Sequence, residues 1–265
     1  MIVFAALTPH PPLAIPKIGG EYVRFISETI ANISHLGKKL AAAKPDTIII
    51  ISPHGQINPD AFTFNQAPTF DIQFKEFGDL ETRLSVSGDI AHVHHYKELV
   101  ESTQPVMLQS QPTLDHGIGV PTYLMYNEFP KKKKKPLLVP CYPSQKTLRE
   151  HFQFTSALRD DILNDQKRIA IIASGDLSHR LSEDSPGGKS NWAEKFDEKI
   201  RTSLLNRDTE SLLNLEPEFI DDAGECGLKP IIMLLGILGN LSYHPQVLSY
   251  EAPMGVGYLT IDFKV

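Results

Sequence analysis

Apolar positions along the chain fall into short, nearly unbroken runs separated by longer stretches of helical periodicity. Residues 2–8, 47–51, 136–142 and 167–174 carry the runs, and Thr47, Ile48, Ile49, Ile50 and Ile51 are β-branched without exception. Such runs suit strands buried on both faces of a sheet. Between them, Tyr22, Phe25, Ile26, Ile30, Ile33, Leu36 and Leu40 recur at helical spacing, predicting a helix over 21–43 that stops near Lys44-Pro45. Leu148, Phe152, Leu158 and Ile162 mark a second helix over 145–164. Shorter helices are predicted over 89–102, 122–126, 191–205 and 230–238, and closing strands over 247–250 and 256–263. Pro121 is placed in the first turn of the 122–126 helix. Residues 60–87 alternate weakly and read as irregular or edge-strand structure, a candidate flap over a site.

Strands alternating with helices predict an α/β fold: a central, mostly parallel sheet flanked by helices, with the active site at the carboxyl ends of the strands. No internal repeat and no linker rich in Gly, Ser or Pro divides the chain, so one domain over 1–265 is expected.

Composition narrows the partners. With 26 Lys+Arg against 32 Asp+Glu the formal charge is −6, which argues against a nucleic-acid partner. The lysine run at 131–135 lies between prolines, lacks interleaved aromatics and reads as a solvated turn. Cys141 and Cys226 cannot build a disulfide framework, which suits a reducing compartment. No basic leader precedes the first strand and no apolar run reaches membrane-spanning length, so a cytoplasmic protein without a membrane partner is expected. The S-P-G-G-K-S stretch at 185–190 resembles a phosphate loop, but Glu183 stands where its first glycine belongs. His92, His94 and His95 do not share one helix face, so they read as part of a surface helix.

Histidines placed just beyond strands carry the chemistry. His10 follows strand 2–8 inside Pro9-His10-Pro11-Pro12, His54 follows strand 47–51 after Ser52-Pro53, and His179 follows strand 167–174 in the turn G-D-L-S-H. Carboxyl ends of parallel strands border the ligand crevice of an open α/β sheet, so these imidazoles are expected to meet there. His10 and His54, held on proline-stiffened loops, are candidate metal ligands needing a third donor. Glu225 is the leading carboxylate, and Cys226 and Glu251 are alternates. Two His with one carboxylate suit Fe(II), whereas a thiolate in the third place suits zinc or copper. His179 is cast as acid/base, and His116, in Leu114-Asp115-His116-Gly117, as a second polar group of the pocket.

Taken together, Thr8-Pro9-His10-Pro11-Pro12, Ser52-Pro53-His54-Gly55, Leu114-Asp115-His116-Gly117 with Val120-Pro121, and Ser174-Gly175-Asp176-Leu177-Ser178-His179 resemble the catalytic subunit of class III extradiol ring-cleavage dioxygenases of the protocatechuate type. Memo-like proteins share that fold. The resemblance implies a non-haem Fe(II), or alternatively Zn(II), held by His10, His54 and Glu225. It further implies His179 and His116 as catalytic residues, His179 as the acid/base, and His116 with Asp115 as substrate contacts. The implied reaction is O2-dependent cleavage of a catechol or aminophenol-like ring. Homo-oligomers or a small second subunit are the partners it suggests. The segment G-E-C-G-L-K-P-I around Cys226 departs from the dioxygenase pattern and is closer to the Memo-like branch, in which a cysteine faces the metal. That branch implies a metal-binding redox or interaction protein without ring cleavage, and a zinc-dependent hydrolase is the third expectation.

Overall fold

In the computed structural model, which describes residues 1–131 and 134–265, the four long apolar runs lie side by side. The strands in chain order are β1 (Ile2–Thr8), β2 (Thr47–Ile51), β3 (Phe62–Asn65), β4 (Thr69–Phe74), β5 (Asp79–Ser87), β6 (Val106–Gln109), β7 (Leu137–Tyr142), β8 (Ile169–Ser174), β9 (His244–Glu251) and β10 (Tyr258–Lys264). All except β4 and β5 form one sheet in the order β6-β3-β7-β2-β8-β1-β10-β9. At its centre β7, β2, β8 and β1 run parallel, with Ile51 opposite both Cys141 and Ala173, and Thr8 opposite Ser174. That register brings four carboxyl ends out along one rim. β10 is antiparallel to β1, and β3 is antiparallel to β7.

The helices are α1 (Pro16–Gly19), α2 (Ser27–Ala43), α3 (Ile90–Val100), α4 (His116–Tyr126), α5 (Leu148–Asn164), α6 (Ala193–Leu205), α7 (Thr209–Leu213), α8 (Pro217–Ala223) and α9 (Leu228–Leu238). Every residue of β2 and β8 is buried. Side chains alternate between faces, so strands that are apolar at every position except Thr47 and Ser174 need cover on both sides. One face packs Ile49, Ile51, Ile171 and Ala173 against Phe154, Phe196 and Ile231 of α5, α6 and α9. The other packs Ile48, Ile50, Ala170 and Ile172 against Ile33 and Leu36 of α2 and Ile118 and Met125 of α4.

Several boundaries differ from the expected ones. Residues 20–26 form a tight 3₁₀ helix that leaves Tyr22 and Phe25 exposed, and the α-helix begins only at Ser27. α4 starts at His116, capped by Asp115, so Pro121 lies inside the helix instead of in its first turn. Residues 60–87 are more regular than their sequence suggests. β3 is fully buried within the main sheet, while β4 and β5 pair as a separate hairpin turning Phe70, Ile72 and Phe74 inward. His92 is not a surface residue: it is buried between Asp89 (2.8 Å from Nδ1) and Asp165 (2.7 Å from Nε2), while His94 and His95 face solvent. Of the 131–135 lysine run, residues 132–133 lie outside the described residues.

Candidate metal centre

His10 leaves β1 on its proline-stiffened loop and turns inward, with 1% of its surface exposed. Its N–H donates to Asp176 Oδ1 (2.9 Å), its Nδ1 meets Ser174 Oγ (2.9 Å), and its Nε2 lies 2.9 Å from Nε2 of His54. His54 reaches the same point from the end of β2. Its loop is tied down by Ser52, whose Oγ accepts from His54 N–H (3.3 Å) and donates to Asp115 Oδ1 (2.5 Å). His116, the first residue of α4, stacks on His54 with ring centroids 4.5 Å apart. His179 comes from beyond β8 and is the fourth imidazole of the group.

The two neighbouring residues in the turn before α9 face different ways. Cys226 Sγ lies 3.6 Å from His10 Nε2 and 3.8 Å from His179 Nε2. Glu225, the leading carboxylate in the sequence, is occupied elsewhere: its Oε2 accepts from Leu228 N–H at 2.5 Å and closes the first turn of α9. Glu251 is also engaged away from the histidines, accepting from Thr29 N–H (2.6 Å) at the start of α2. The structure therefore brings His10, His54 and Cys226 together, with Asp176 and His179 as a second donor pair around the same sulfur. Asp176, buried in the S-G-D-L-S-H turn, was missed as a site residue. Its N–H donates to Cys226 Sγ (3.3 Å), and its carbonyl accepts from Cys226 N–H and Gly227 N–H.

This junction depends on absent side chains. A Cβ on Gly175 would lie 2.2 Å from the Cα of Gly227, so only glycine allows the turn after β8 to touch the turn before α9. Backbone contact at that point delivers the sulfur to the histidines.

Burial sets the protonation of the cluster. Loss of hydration, reinforced by the neighbouring imidazoles, lowers His10 and brings His54 down to about 4, and burial lowers His116 and His179. All four rings are thus neutral at physiological pH and offer lone pairs. Burial, then Asp176 and Glu225, push the Cys226 thiol up, and burial raises Asp176 to about 7. Metal binding would displace the thiol proton.

The spacing of the donors fits an ion. Around a tetrahedral metal, two nitrogens stand about 3.3 Å apart and a nitrogen and a sulfur about 3.5 Å apart. The 3.6 Å between His10 Nε2 and Cys226 Sγ suits that spacing, and the two imidazoles, 2.9 Å apart, would part by a few tenths of an ångström to admit the ion. The donor types fit zinc or copper, while the carboxylate of an Fe(II) facial triad is not supplied by Glu225 or Glu251.

Beside the centre lies a cavity of about 590 Å³ lined by His54, Asp115, His116, Tyr142, Gln109 and Gln111, with Gln73, Lys75 and Glu76 contributed by the β4–β5 hairpin. Glu76 Oε1 lies 3.8 Å from His116 Nδ1, and the Phe77 ring meets the His116 ring edge-on. The hairpin therefore forms one wall of the cavity. A larger cleft of about 760 Å³ around Trp192 and Phe219 contains none of these imidazoles.

Fold and site define a class: an α/β protein with a preformed metal-capable centre at the carboxyl rim of its parallel strands. Within that class the chain belongs to the family of the catalytic LigB subunit of aromatic ring-opening dioxygenase, matched over residues 4–260. It is 29% identical over 262 residues to a Clostridium acetobutylicum protein, covering 95% of this chain and 55% of that one. The chain thus spans about half the length of that relative. It is also similar to a 4,5-DOPA dioxygenase extradiol of Beta vulgaris, 26% identical over 193 residues covering 68% of this chain and 66% of that one. Similarity to the 3,4-dihydroxyphenylacetate 2,3-dioxygenase of Escherichia coli is 22% over 271 positions and 92% of each chain. The crystal structure of an uncharacterized protein of Escherichia coli K12 has the same fold, with a TM-score of 0.63, 19% identity and 98% of each chain covered.

Proposed function

We propose that the chain is a metal-dependent oxidoreductase that receives a small aromatic ligand, a catechol or aminophenol, in the cavity beside His10, His54 and Cys226. The observation that carries this reading is the convergence of imidazoles and a thiol on one open rim next to a ligand-sized cavity. Family membership and the names of the relatives support ring opening with O2 as the reaction. A bound metal would supply Lewis acidity and a place for O2 or an ortho pair of heteroatoms. His116 and Asp115 line the cavity and orient the ring, and His179, 3.8 Å from Cys226 Sγ and with its pKa lowered by burial, would accept a proton from a ligand hydroxyl that reaches the metal.

The thiol in the third place favours a second reading, a Memo-like metal-binding redox protein that holds zinc or copper and does not cleave rings. Elemental analysis of protein purified without added metal, followed by O2 uptake with a panel of catechols and aminophenols after anaerobic Fe(II) loading, separates the two. Ring opening requires O2 consumption and a ring-cleaved product. Stoichiometric metal with no O2 uptake across the panel overturns it and leaves the second reading standing.

A further inference from the structure

We propose that Ser174 is a positioning residue that fixes the tautomer of His10, and that Pro121 leaves free the carbonyl that Ser174 needs for this; the inference rests on His10 being a metal ligand. Ser174 ends β8, opposite Thr8 of β1, and is fully buried. Its Oγ contacts two groups, the carbonyl oxygen of Gly117 in the first turn of α4 and Nδ1 of His10 at 2.9 Å. A hydroxyl has one hydrogen to give. The carbonyl can only accept, so the hydrogen goes to Gly117, and the Oγ lone pair is left to accept from His10 Nδ1–H. The His10 ring is then held with its hydrogen on Nδ1 and a bare Nε2 directed at His54 and Cys226. In the reverse arrangement the hydroxyl would donate to Nδ1. That would leave the Gly117 carbonyl without a donor and place a hydrogen on the nitrogen that has to bind the ion.

The carbonyl is free for a reason written in the sequence. Inside a regular α-helix the Gly117 oxygen would accept from the N–H of the residue four positions on. That residue is Pro121, which has no N–H. A proline costly to helix α4 thus leaves one acceptor unclaimed within it, at the place where β8 ends. Gly117 also lets the helix approach closely, since a Cβ there would lie 2.2 Å from Ser52 Oγ.

The test reads the ring directly. Metal-free protein carrying ¹⁵N-labelled histidine is examined by long-range ¹H–¹⁵N correlation at neutral pH. His10 is expected to show a protonated Nδ1 and a bare Nε2. In Ser174→Ala its shifts should move toward the averaged values of an unconstrained imidazole, and zinc affinity by chelator competition should fall about 10- to 100-fold, as for loss of other outer partners of ligating histidines. A proton on Nε2 in the wild type overturns the proposal, even if the variant does not fold. Unchanged shifts in Ser174→Ala also overturn it, and altered shifts with unchanged zinc affinity overturn the link to metal binding. Pro121→Ala restores a competing N–H and should shift the ring in the same direction; no shift removes Pro121 from the scheme. Because no substrate or turnover enters the measurement, its failure is distinct from failure of the oxidoreductase reading.

Discussion

Cys226 Sγ stands 3.6 Å from His10 Nε2, while the carboxylate of Glu225, one residue earlier, is spent on Leu228 N–H. Cys226→Ala is therefore expected to weaken zinc binding by more than the about 100-fold seen at most for outer partners. Glu225→Ala should leave zinc affinity nearly unchanged and cost about 1–3 kcal/mol of stability by leaving the Leu228 N–H without its acceptor. Chelator competition and denaturant unfolding on both variants check the contrast.

Gly227→Ala tests the close approach that delivers the sulfur. Its Cβ would lie 2.8 Å from the Asp176 carbonyl oxygen and 3.1 Å from the Gly175 carbonyl carbon, so the turns have to separate. The expected cost is about 1–3 kcal/mol of overpacking. Zinc affinity should fall together with stability, and a variant that loses stability while retaining wild-type affinity would refute the coupling.

His116 and His179 should separate binding from turnover. His116 lines the cavity and stacks on His54, so His116→Ala is expected to raise the dissociation constant of a catechol. His179→Ala is expected to leave that constant nearly unchanged and to lower kcat about 100- to 10,000-fold if proton transfer is its task. Calorimetric binding together with steady-state O2 uptake distinguishes the roles.

Far from the site, His92 predicts a stability profile. The hydrogen bond to Asp89, with Asp165 adding to it against burial, raises His92 above 6.5. Asp89 moves below 3.8: burial opposes this, and the His92 and Thr47 hydrogen bonds outweigh it. The His92 contribution is complete below 6.5 and is lost as pH rises through the raised folded value. The Asp89 contribution is complete above 3.8 and is lost as pH falls through the lowered one. Stabilisation from the pair thus peaks in mildly acidic solution, and His92→Gln should remove roughly 2 kcal/mol there and less at alkaline pH. Denaturant midpoints across that range measure it.

The parallel core was legible because its strands are buried on both faces and have almost no polar interruption. The imidazoles of His10 and His54 were placed beside it because prolines halt the chain just beyond the strands. Which residue of the turn before α9 faces the histidines was not legible, since adjacent residues in a glycine-flanked turn face different ways and only the packing of Gly175 on Gly227 brings Cys226 to them. Asp176 was concealed because an aspartate is an ordinary turn residue and only the fold brings its backbone against Cys226. The place of β3 inside the main sheet was not foreseen because a four-residue strand takes its place from partners far away in sequence, and the start of α4 was set after Pro121 because that proline sits where a regular helix would not tolerate one.

Both histidine arms are tethered to the same first turn of α4, His54 through Ser52 and Asp115, and His10 through Ser174 and Gly117. His116, which a ligand in the cavity would touch, is the first residue of that helix. Occupancy of the cavity and occupancy of the metal centre therefore bear on one rigid part. If an aromatic ligand tightens the hold on the ion by some factor, the ion must tighten the hold on the ligand by the same factor, and this reciprocity makes either partner a reporter of the other.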